Sequence, residues 1–351
     1  MSTSTDATNC GACARDCTFE GAFPGTMCVS GQCDPVTLAN KPYGAFCGAF
    51  SGPLLGAPVT THEADPYVYF ATASTIYHVP KTGGLADVSL EDCGGMSGLL
   101  HSGAHLVATR YLGQGGTGGQ VFVTSALAPN PVWTILIDQH CGAVSGGGGS
   151  VTARGGVWVE GHGALRACGG TGAQNYSYVW LPNGAILEGS NQPLEMVRSP
   201  TGGDDRAWWL GTDANIWSWT APANSAAIAY TDTGVSSLVG VGDALFWSST
   251  DTSIGAGGQA IIRGAGLDVA VIASPADLEV APQALAADPA HVCWLESSGV
   301  FCVPNGGLLQ TPAWIGVADL PVQSLAVDST SVYWTEADAA TMTVYLRRAP
   351  L

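Results

Sequence analysis

A short strand rich in aromatic residues recurs seven times along this chain of 351 residues. The copies occupy residues 67–70, 105–108, 156–159, 206–209, 244–247, 291–294 and 331–334. Successive copies are roughly 44 residues apart, and a repeat in the low forties that holds about four short strands is typical of a β-propeller blade. The repeat therefore favours a ring of small sheets over one large sheet or a helical array.

The sequence around these copies has the composition of an all-β fold. Most copies are followed by a tight turn and a second strand, and Gly, Pro, Ser and Asp separate the strands, while helical periodicity is almost absent. We predict a seven-bladed β-propeller over residues 36–351, preceded by a short disulfide-rich N-terminal arm over residues 1–35. Because the last repeat ends one strand short, we expect the strand at 36–40 to complete it and close the ring.

The last copy carries a motif that is similar to one in a known class of propellers. The tetrapeptide Tyr333, Trp334, Thr335 and Glu336 resembles the Tyr-Trp-Thr-Asp repeat of receptor-type β-propellers, with Glu in place of the final Asp. The other copies keep only the aromatic position, and the similarity spans residues 53–349. The resemblance implies a propeller fold, although that class usually has six blades where this sequence has seven repeats.

Cysteine usage indicates the compartment. The chain has 11 cysteines. Five of them lie close together, with the spacing C-x2-C-x3-C-x10-C-x4-C, at Cys10, Cys13, Cys17, Cys28 and Cys33. A zinc site needs two closely spaced pairs, or Cys together with His, and this segment has one such pair and no His. We therefore favour disulfides, which form in oxidising compartments, and we expect a secreted or extracellular surface protein.

The same segment has a resemblance of its own. It is similar to the short Cys-Gly-x-Cys-x3-Cys and Cys-x-x-Gly-x-Cys modules of secreted plant Stig1-type proteins and of myxobacterial surface proteins. It lacks the adjacent Cys-Cys of the plant pattern. The resemblance implies an extracellular tether that carries no chemistry.

Cys293 and Cys302 flank a turn at residues 297–298. If the chain folds back about that turn, the two cysteines lie opposite each other on adjacent strands. Opposed residues of an antiparallel pair have Cα atoms about 4.5–5.5 Å apart, within the range that a disulfide spans. We predict a disulfide here; two buried free thiols are the alternative.

The charge of the chain excludes two classes of partner. Lys and Arg total 11 against 28 acidic residues, which gives a net charge of −17. A nucleic-acid-binding protein needs a basic surface, and an anionic membrane would repel this chain. No apolar run of about 18 residues occurs, so we expect no membrane insertion.

Several residues are candidates for a binding site. Four aspartates, Asp65, Asp243, Asp288 and Asp328, precede the aromatic strand and either cap a turn or bind Ca²⁺ around the channel. Trp217 and Trp219 alternate along one strand and share a face, where they pack between blades or stack on a sugar ring.

A sequon at Asn175, in a stretch that we expect to be a loop, is a candidate for glycan attachment.

No motif for catalysis is present. The chain lacks H-E-x-x-H, G-x-S-x-G and a P-loop. A metal-dependent propeller lyase or lactonase would need a polar cluster at the channel mouth, and we identify none. We expect no cofactor apart from a Ca²⁺ ion at the aspartates.

The odd number of cysteines suggests a role. With 11 cysteines, at least one is free or bonded to another molecule. We predict a non-enzymatic structural or adhesive protein that binds other copies of itself head to tail through its Cys-rich arm, forming filaments. A carbohydrate-binding, lectin-like propeller is the first alternative, and the lyase or lactonase is the second.

Overall fold

The computed structural model describes part of the chain, with gaps throughout. The described residues are 28–29, 32–33, 35–43, 57–91, 95–102, 105–112, 118–125, 132–139, 149–151, 157–164, 173–180, 186–188, 198–202, 206–210, 215–220, 227–250, 260–266, 268–273, 282, 284–296, 299–306 and 310–351. In these residues every regular element is a strand. None of them belongs to a helix that is long and apolar enough to cross a membrane.

The strands of the described residues form seven antiparallel sheets of four strands each, which we number 1 to 7 along the chain. Sheet 1 consists of Val59–Thr61, Tyr67–Ala71, Thr75–Pro80 and Asp87–Glu91. Sheet 2 consists of Gly95–Ser102, His105–Leu112, Gly118–Ser125 and Thr134–Gln139. Sheet 3 consists of Gly149–Val151, Val157–Ala164, Ala173–Trp180 and Ile186–Glu188. Sheet 4 consists of Arg198–Gly202, Arg206–Leu210, Asn215–Thr220 and Ala227–Thr231.

The remaining sheets follow the same plan. Sheet 5 consists of Val235–Val241, Ala244–Ser249, Ala260–Ala265 and Asp268–Ala273. Sheet 6 consists of Leu285–Ala287, His291–Glu296, Gly299–Pro304 and Ala313–Val317. Sheet 7 consists of Val322–Val327, Ser331–Asp338, Thr343–Pro350 and Val36–Pro42. A separate hairpin pairs Cys28–Val29 with Gln32–Cys33.

The sheets are arranged in a closed cycle. The first strand of each sheet lies beside the first strand of the next, and the first strand of sheet 7 lies beside that of sheet 1. Within each sheet the strands run outward in order, so the first strand is innermost and the fourth is at the rim. In sheet 7 the rim position belongs to Val36–Pro42, which pairs antiparallel with Thr343–Pro350.

The aromatic repeat provides the packing between sheets. Its members lie on the second strand of each sheet, and eight of the aromatic ones are almost completely buried: Tyr69, Phe70, Trp208, Phe246, Trp247, Trp294, Tyr333 and Trp334. The apolar clusters combine residues of neighbouring sheets, as in the cluster that contains Leu38 and Tyr333 of sheet 7 together with Phe70 of sheet 1. The core is therefore a series of interfaces between adjacent sheets.

The outer strands are irregular and carry exposed apolar side chains. A shift of register recurs between the third and fourth strands of six of the described sheets, and such bulges increase strand twist. Outer strands also present apolar side chains to solvent, with Val88 53%, Ile228 50%, Val269 49% and Trp314 42% exposed. Four of the seven large apolar side chains that are exposed among the described residues therefore lie on outer strands.

Candidate functional site

Three of the four predicted aspartates cap the turn between the first and second strands. Asp288 Oδ1 accepts hydrogen bonds from the backbone N–H groups of Ala290 and His291 at 2.5 Å each. Asp328 Oδ1 accepts from the N–H groups of Thr330 and Ser331 at 3.0 Å, and Asp65 caps its turn in the same way. These carboxylates are buried, and their oxygens satisfy backbone donors that would otherwise lack partners.

The fourth aspartate, Asp243, has a different environment. It follows Gly242 in a two-residue turn, and Gly242 has a φ of 54°, which glycine adopts without strain. This tight turn leaves Asp243 exposed. Among the described residues no three His, Cys, Asp or Glu side chains come together as metal ligands, and Ca²⁺ binding at Asp65, Asp243, Asp288 and Asp328 stays a prediction.

A cluster of polar and charged side chains lies where sheet 7 meets sheet 1. Lys81 Nζ lies 2.8 Å from Asp328 Oδ2 and donates to the carbonyl of His62 at 2.7 Å. Arg348 donates to the carbonyl of Lys81 at 2.7 Å and to Ser331 Oγ at 3.0 Å. We call Glu63, Lys81, Asp328, Ser329 and Arg348 the closure cluster, because its bonds join the last sheet of the chain, sheet 7, to the first, sheet 1.

The electrostatics of the closure cluster favour charged carboxylates. Burial opposes ionisation of Asp328, but the Lys81 ammonium and the Thr330 donors outweigh it, so the pKa of Asp328 lies below its ordinary value. Hydrogen bonds from Ser329, at 2.9 Å from its N–H and 2.5 Å from its hydroxyl, lower the pKa of Glu63. Each anion is held by donors of the same cluster, and this arrangement joins two sheets.

Buried carboxylates also accept hydrogen bonds from the indole N–H groups of three sheets. Trp294 Nε1 donates to Glu296 Oε1 at 3.1 Å, and Trp334 Nε1 donates to Glu336 Oε1 at 2.8 Å. In sheet 5, where Ser249 occupies the position of the glutamate, Trp247 Nε1 donates to Asp232 Oδ2 at 2.7 Å. These carboxylates were missed in the sequence analysis, although the spacing Trp-x-Glu in two repeats would have indicated them.

The predicted sugar-stacking residues lie on the third strand of sheet 4. Trp217 and Trp219 lie two residues apart on Asn215–Thr220 and therefore share a face, and Trp217 is half-buried. In sheet 6, by contrast, Phe301 stacks between Trp294 and Trp314 with centroid distances of 6.2 and 6.1 Å. This ladder runs from the core to the rim and ends at the exposed Trp314.

The cysteine pair of sheet 6 is bonded. Cys293 and Cys302 lie directly opposite each other, with an S–S distance of 2.12 Å and a Cα–Cα distance of 4.1 Å. Both residues are buried. Cys28 and Cys33 lie opposite each other in the separate hairpin. The other predicted disulfide cysteines, Cys10, Cys13 and Cys17, lie outside the described residues.

The described end of the arm lies at the rim of the cycle. Gln32–Cys33 contacts Ala313–Val317, the outer strand of sheet 6. A side chain on Gly316 would lie 3.3 Å from Cγ of Pro35, so the arm packs closely on this strand. The arm therefore meets the ring at the edge strand that carries Trp314.

Two further features are the predicted glycan attachment site and an open cavity. Asn175 lies in the strand Ala173–Trp180 opposite His162, and not in a loop as we expected from the sequence. An open cavity of about 320 Å³ lies between Val36–Pro42 and residues 84–86. Lys41, on its wall, lies over the Tyr77 ring with Nζ 4.9 Å from the centroid.

Comparison with known proteins identifies the fold and no more. No protein-family model matches the chain, and no curated protein matches it. The chain is similar to the computationally designed protein Ika8, with a TM-score of 0.51 and 15% identity over 84% of this chain and 99% of that one. It is also similar to a chain of the mitotic checkpoint complex, with a TM-score of 0.55 and 11% identity over 89% and 93% of the two chains. The checkpoint-complex chain is β-propeller-like, and the repeated four-stranded sheets of this protein form a β-propeller-like repeat fold.

Proposed function

We propose that this protein is an extracellular, non-enzymatic structural propeller of seven blades, closed by the strand Val36–Pro42, which binds other copies of itself through its N-terminal arm. The observation that carries the proposal is the position of the arm, whose end lies at the rim against Ala313–Val317. An arm that begins at the rim can extend to a neighbouring ring, whereas one buried in the channel could not.

The chemistry of the polar groups is consistent with a structural role. The buried carboxylates of Asp65, Asp232, Asp288, Glu296, Asp328 and Glu336 all accept hydrogen bonds from turns, indoles or neighbouring cations. Groups with these bonds stabilise the ring. General acid–base catalysis instead needs a carboxyl group within hydrogen-bond reach of a substrate.

The rim also supports association between copies. Its exposed Val88, Ile228, Val269 and Trp314 side chains lie on strands whose outer edges lack a neighbouring strand in the described sheets. Such edges bind other chains readily. The disulfide Cys293–Cys302 is the kind of bond that persists in an oxidising compartment, which supports an extracellular location.

Gel electrophoresis under non-reducing conditions tests the proposal. The full chain, produced in an oxidising compartment, is compared with a variant that lacks residues 1–27. We expect a ladder of covalent oligomers that collapses on reduction and is absent from the shortened variant. The double variant Cys293→Ser, Cys302→Ser is the matched control, because it loses two cysteines outside the arm and should retain the ladder. A single monomer band in every sample would contradict covalent self-association.

The exposed Trp314 supports carbohydrate binding as a second candidate function. Its side chain is 42% exposed at the end of the aromatic ladder, and an exposed indole face can stack on a sugar ring. Binding of the full chain to a glycan array, lost in Trp314→Ala and kept in Trp217→Ala, would support this function. An array without bound protein would contradict it.

A further inference from the structure

The hairpin at the end of the arm has a defined register. Cys28–Val29 pairs antiparallel with Gln32–Cys33, so that Val29 lies opposite Gln32 and Cys28 lies opposite Cys33. Two residues, 30 and 31, connect the strands. This is the shortest common hairpin connection, and it fixes which pairs of residues exchange hydrogen bonds.

Register determines the distance between the two cysteine backbones. In a hairpin with a two-residue connection, the pair next to the turn is hydrogen-bonded and the following pair is not. A non-hydrogen-bonded pair has Cα atoms about 4.5 Å apart, at the short end of the range that a disulfide spans. Cys28 and Cys33 form this second pair.

Sheet 6 provides an internal comparison. There Glu296 and Gly299 form the pair next to a two-residue turn, and Cys293 and Cys302 form the fourth pair from it. Second and fourth pairs are equivalent, because the two kinds of pair alternate. This pair has a Cα–Cα distance of 4.1 Å and carries a disulfide.

We propose that Cys28 and Cys33 are bonded to each other. Formation of the bond removes two protons and two electrons from the two thiols. The electrons pass to an oxidising disulfide of the compartment, which is reduced to two thiols by exchange through a mixed disulfide.

The Cys28–Cys33 bond also bears on which cysteines join copies of the protein. This second step rests on the proposed function. Only residues 34 and 35 separate Cys33 from Val36–Pro42, which is paired with the same ring's Thr343–Pro350. Cys33 and Val36 are three residues apart and their Cα atoms lie within about 11 Å of each other, so the hairpin stays on its own ring. Residues 1–27 have the length to extend further, and Cys10, Cys13 and Cys17 are therefore the arm cysteines that bond to a second copy.

Peptide mapping of the full chain tests the pairing directly. Free thiols are blocked with N-ethylmaleimide at acidic pH, and the unreduced protein is cut after Glu20 and before Asp34. The peptide 21–33 contains Cys28 and Cys33 and no other cysteine. We expect this peptide alone, unmodified, and lighter than its reduced form by two hydrogen atoms. A peptide 21–33 that carries maleimide or is linked to another peptide would overturn the pairing.

A pair of matched variants tests which cysteines join copies. The variant Cys10→Ser, Cys13→Ser, Cys17→Ser should lose the covalent ladder, and Cys28→Ser, Cys33→Ser should keep it. The reverse result would overturn this assignment. If the natural chain gives no ladder, the proposed function and this assignment fail together, while the peptide map of the monomer still decides the Cys28–Cys33 bond.

Discussion

At the scale of single residues, the buried indoles show how this repeat satisfies a polar group inside an apolar interface. Each N–H of Trp247, Trp294 and Trp334 needs an acceptor, because burying it without one costs about 1–3 kcal/mol. Sheets 6 and 7 supply a glutamate two residues along the same strand, and sheet 5 supplies Asp232 from the preceding connection. Each indole thus has a carboxylate acceptor, although the carboxylate comes from different places in the sequence.

Replacing Glu336 tests the charge of one such acceptor. Glu336 is 1% exposed, and its Oε2 lies 3.1 Å from Arg347 Nε. Glu336→Gln keeps an oxygen that accepts from Trp334 but leaves the Arg347 guanidinium without its buried anion. We therefore expect the free energy of unfolding, measured by urea denaturation, to fall by about 2–3 kcal/mol.

The matched control for this change uses the same arginine. Asp319 also lies near Arg347, at 3.5 Å from Nη2, but is 78% exposed. We expect Asp319→Asn to cost less than about 1 kcal/mol, because solvent screens exposed ion pairs. Equal losses for the two variants would show that burial of the anion is unimportant here.

Gly264 illustrates a glycine that is required for close packing. A Cβ at this position would lie 2.5 Å from Cζ of Tyr230, whose ring stacks on Trp247 at a centroid distance of 5.0 Å. We expect Gly264→Ala to displace the ring and to lower the free energy of unfolding by about 1–3 kcal/mol, as measured from the urea midpoint.

Gly306 is the control for that substitution. A Cβ on Gly306 would have no atom within 4 Å. Gly306→Ala should therefore change the free energy of unfolding by less than about 0.5 kcal/mol. A neutral Gly264→Ala would mean that the Tyr230 ring can move without cost.

At the scale of strands and turns, the sequence predicts hairpins well and side-chain environments poorly. The opposition of Cys293 to Cys302 could be predicted, because a two-residue turn determines every pair that follows it. The environment of Asp243 was not predicted, although Asp243 directly precedes its aromatic strand whereas Asp288 lies three residues before its own, and the tighter turn leaves Asp243 exposed. The closure cluster was also missed, since Lys81 and Asp328 are brought together by ring closure alone.

The turn held by Asp328 makes stability depend on pH. The pKa of Asp328 is lower in the folded state than its unfolded value of about 3.9. The stabilisation that ionised Asp328 provides is therefore fully present above about pH 3.9 and is lost as the pH falls through the folded pKa. We expect Lys81→Met to be less stable than the natural protein at pH 7, and the difference to shrink below about pH 4. Urea denaturation between pH 7 and pH 2.5 measures this difference.

The only other lysine of the chain provides the control. Lys41 contacts the Tyr77 ring. The stability difference caused by Lys41→Met should therefore be constant over the same pH range. A Lys81→Met difference that grows on acidification would contradict the assigned direction of the Asp328 pKa.

At the scale of the whole molecule, the two ends of the described cycle are held by one apolar cluster. Leu38 and Tyr43 pack with residues of sheets 1 and 7, and Thr335 Oγ1 donates to the carbonyl of Ala57 between the same sheets. The short final repeat made a missing strand predictable from the sequence. Its contacts were not predictable, because they depend on which side chains the bulge between Thr37 and Ala39 turns inward.

Leu38→Ala tests how much this cluster contributes to the stability of the ring. Leu38 is 7% exposed, and we expect its truncation to cost about 2–4 kcal/mol through lost burial and a residual cavity. Hydrogen exchange should accelerate in Thr343–Pro350 as well as in Val36–Pro42. Leu85, which is 84% exposed, gives the control Leu85→Ala, for which we expect less than about 0.5 kcal/mol. Equal effects of the two variants would show that the cluster does not hold the ring closed.

The pairing of Val36–Pro42 with Thr343–Pro350 also sets an order of events during biosynthesis. Thr37 and Arg347, which contact each other across this pair, are 310 residues apart in the chain. A ribosome therefore adds 310 residues from Thr37 to Arg347 before the early strand has its partner, and Leu38 stays without its sheet 7 neighbours until Thr343–Pro350 emerges from the exit tunnel. The pairing that completes sheet 7 therefore forms only after the strands of the six other sheets have been synthesised.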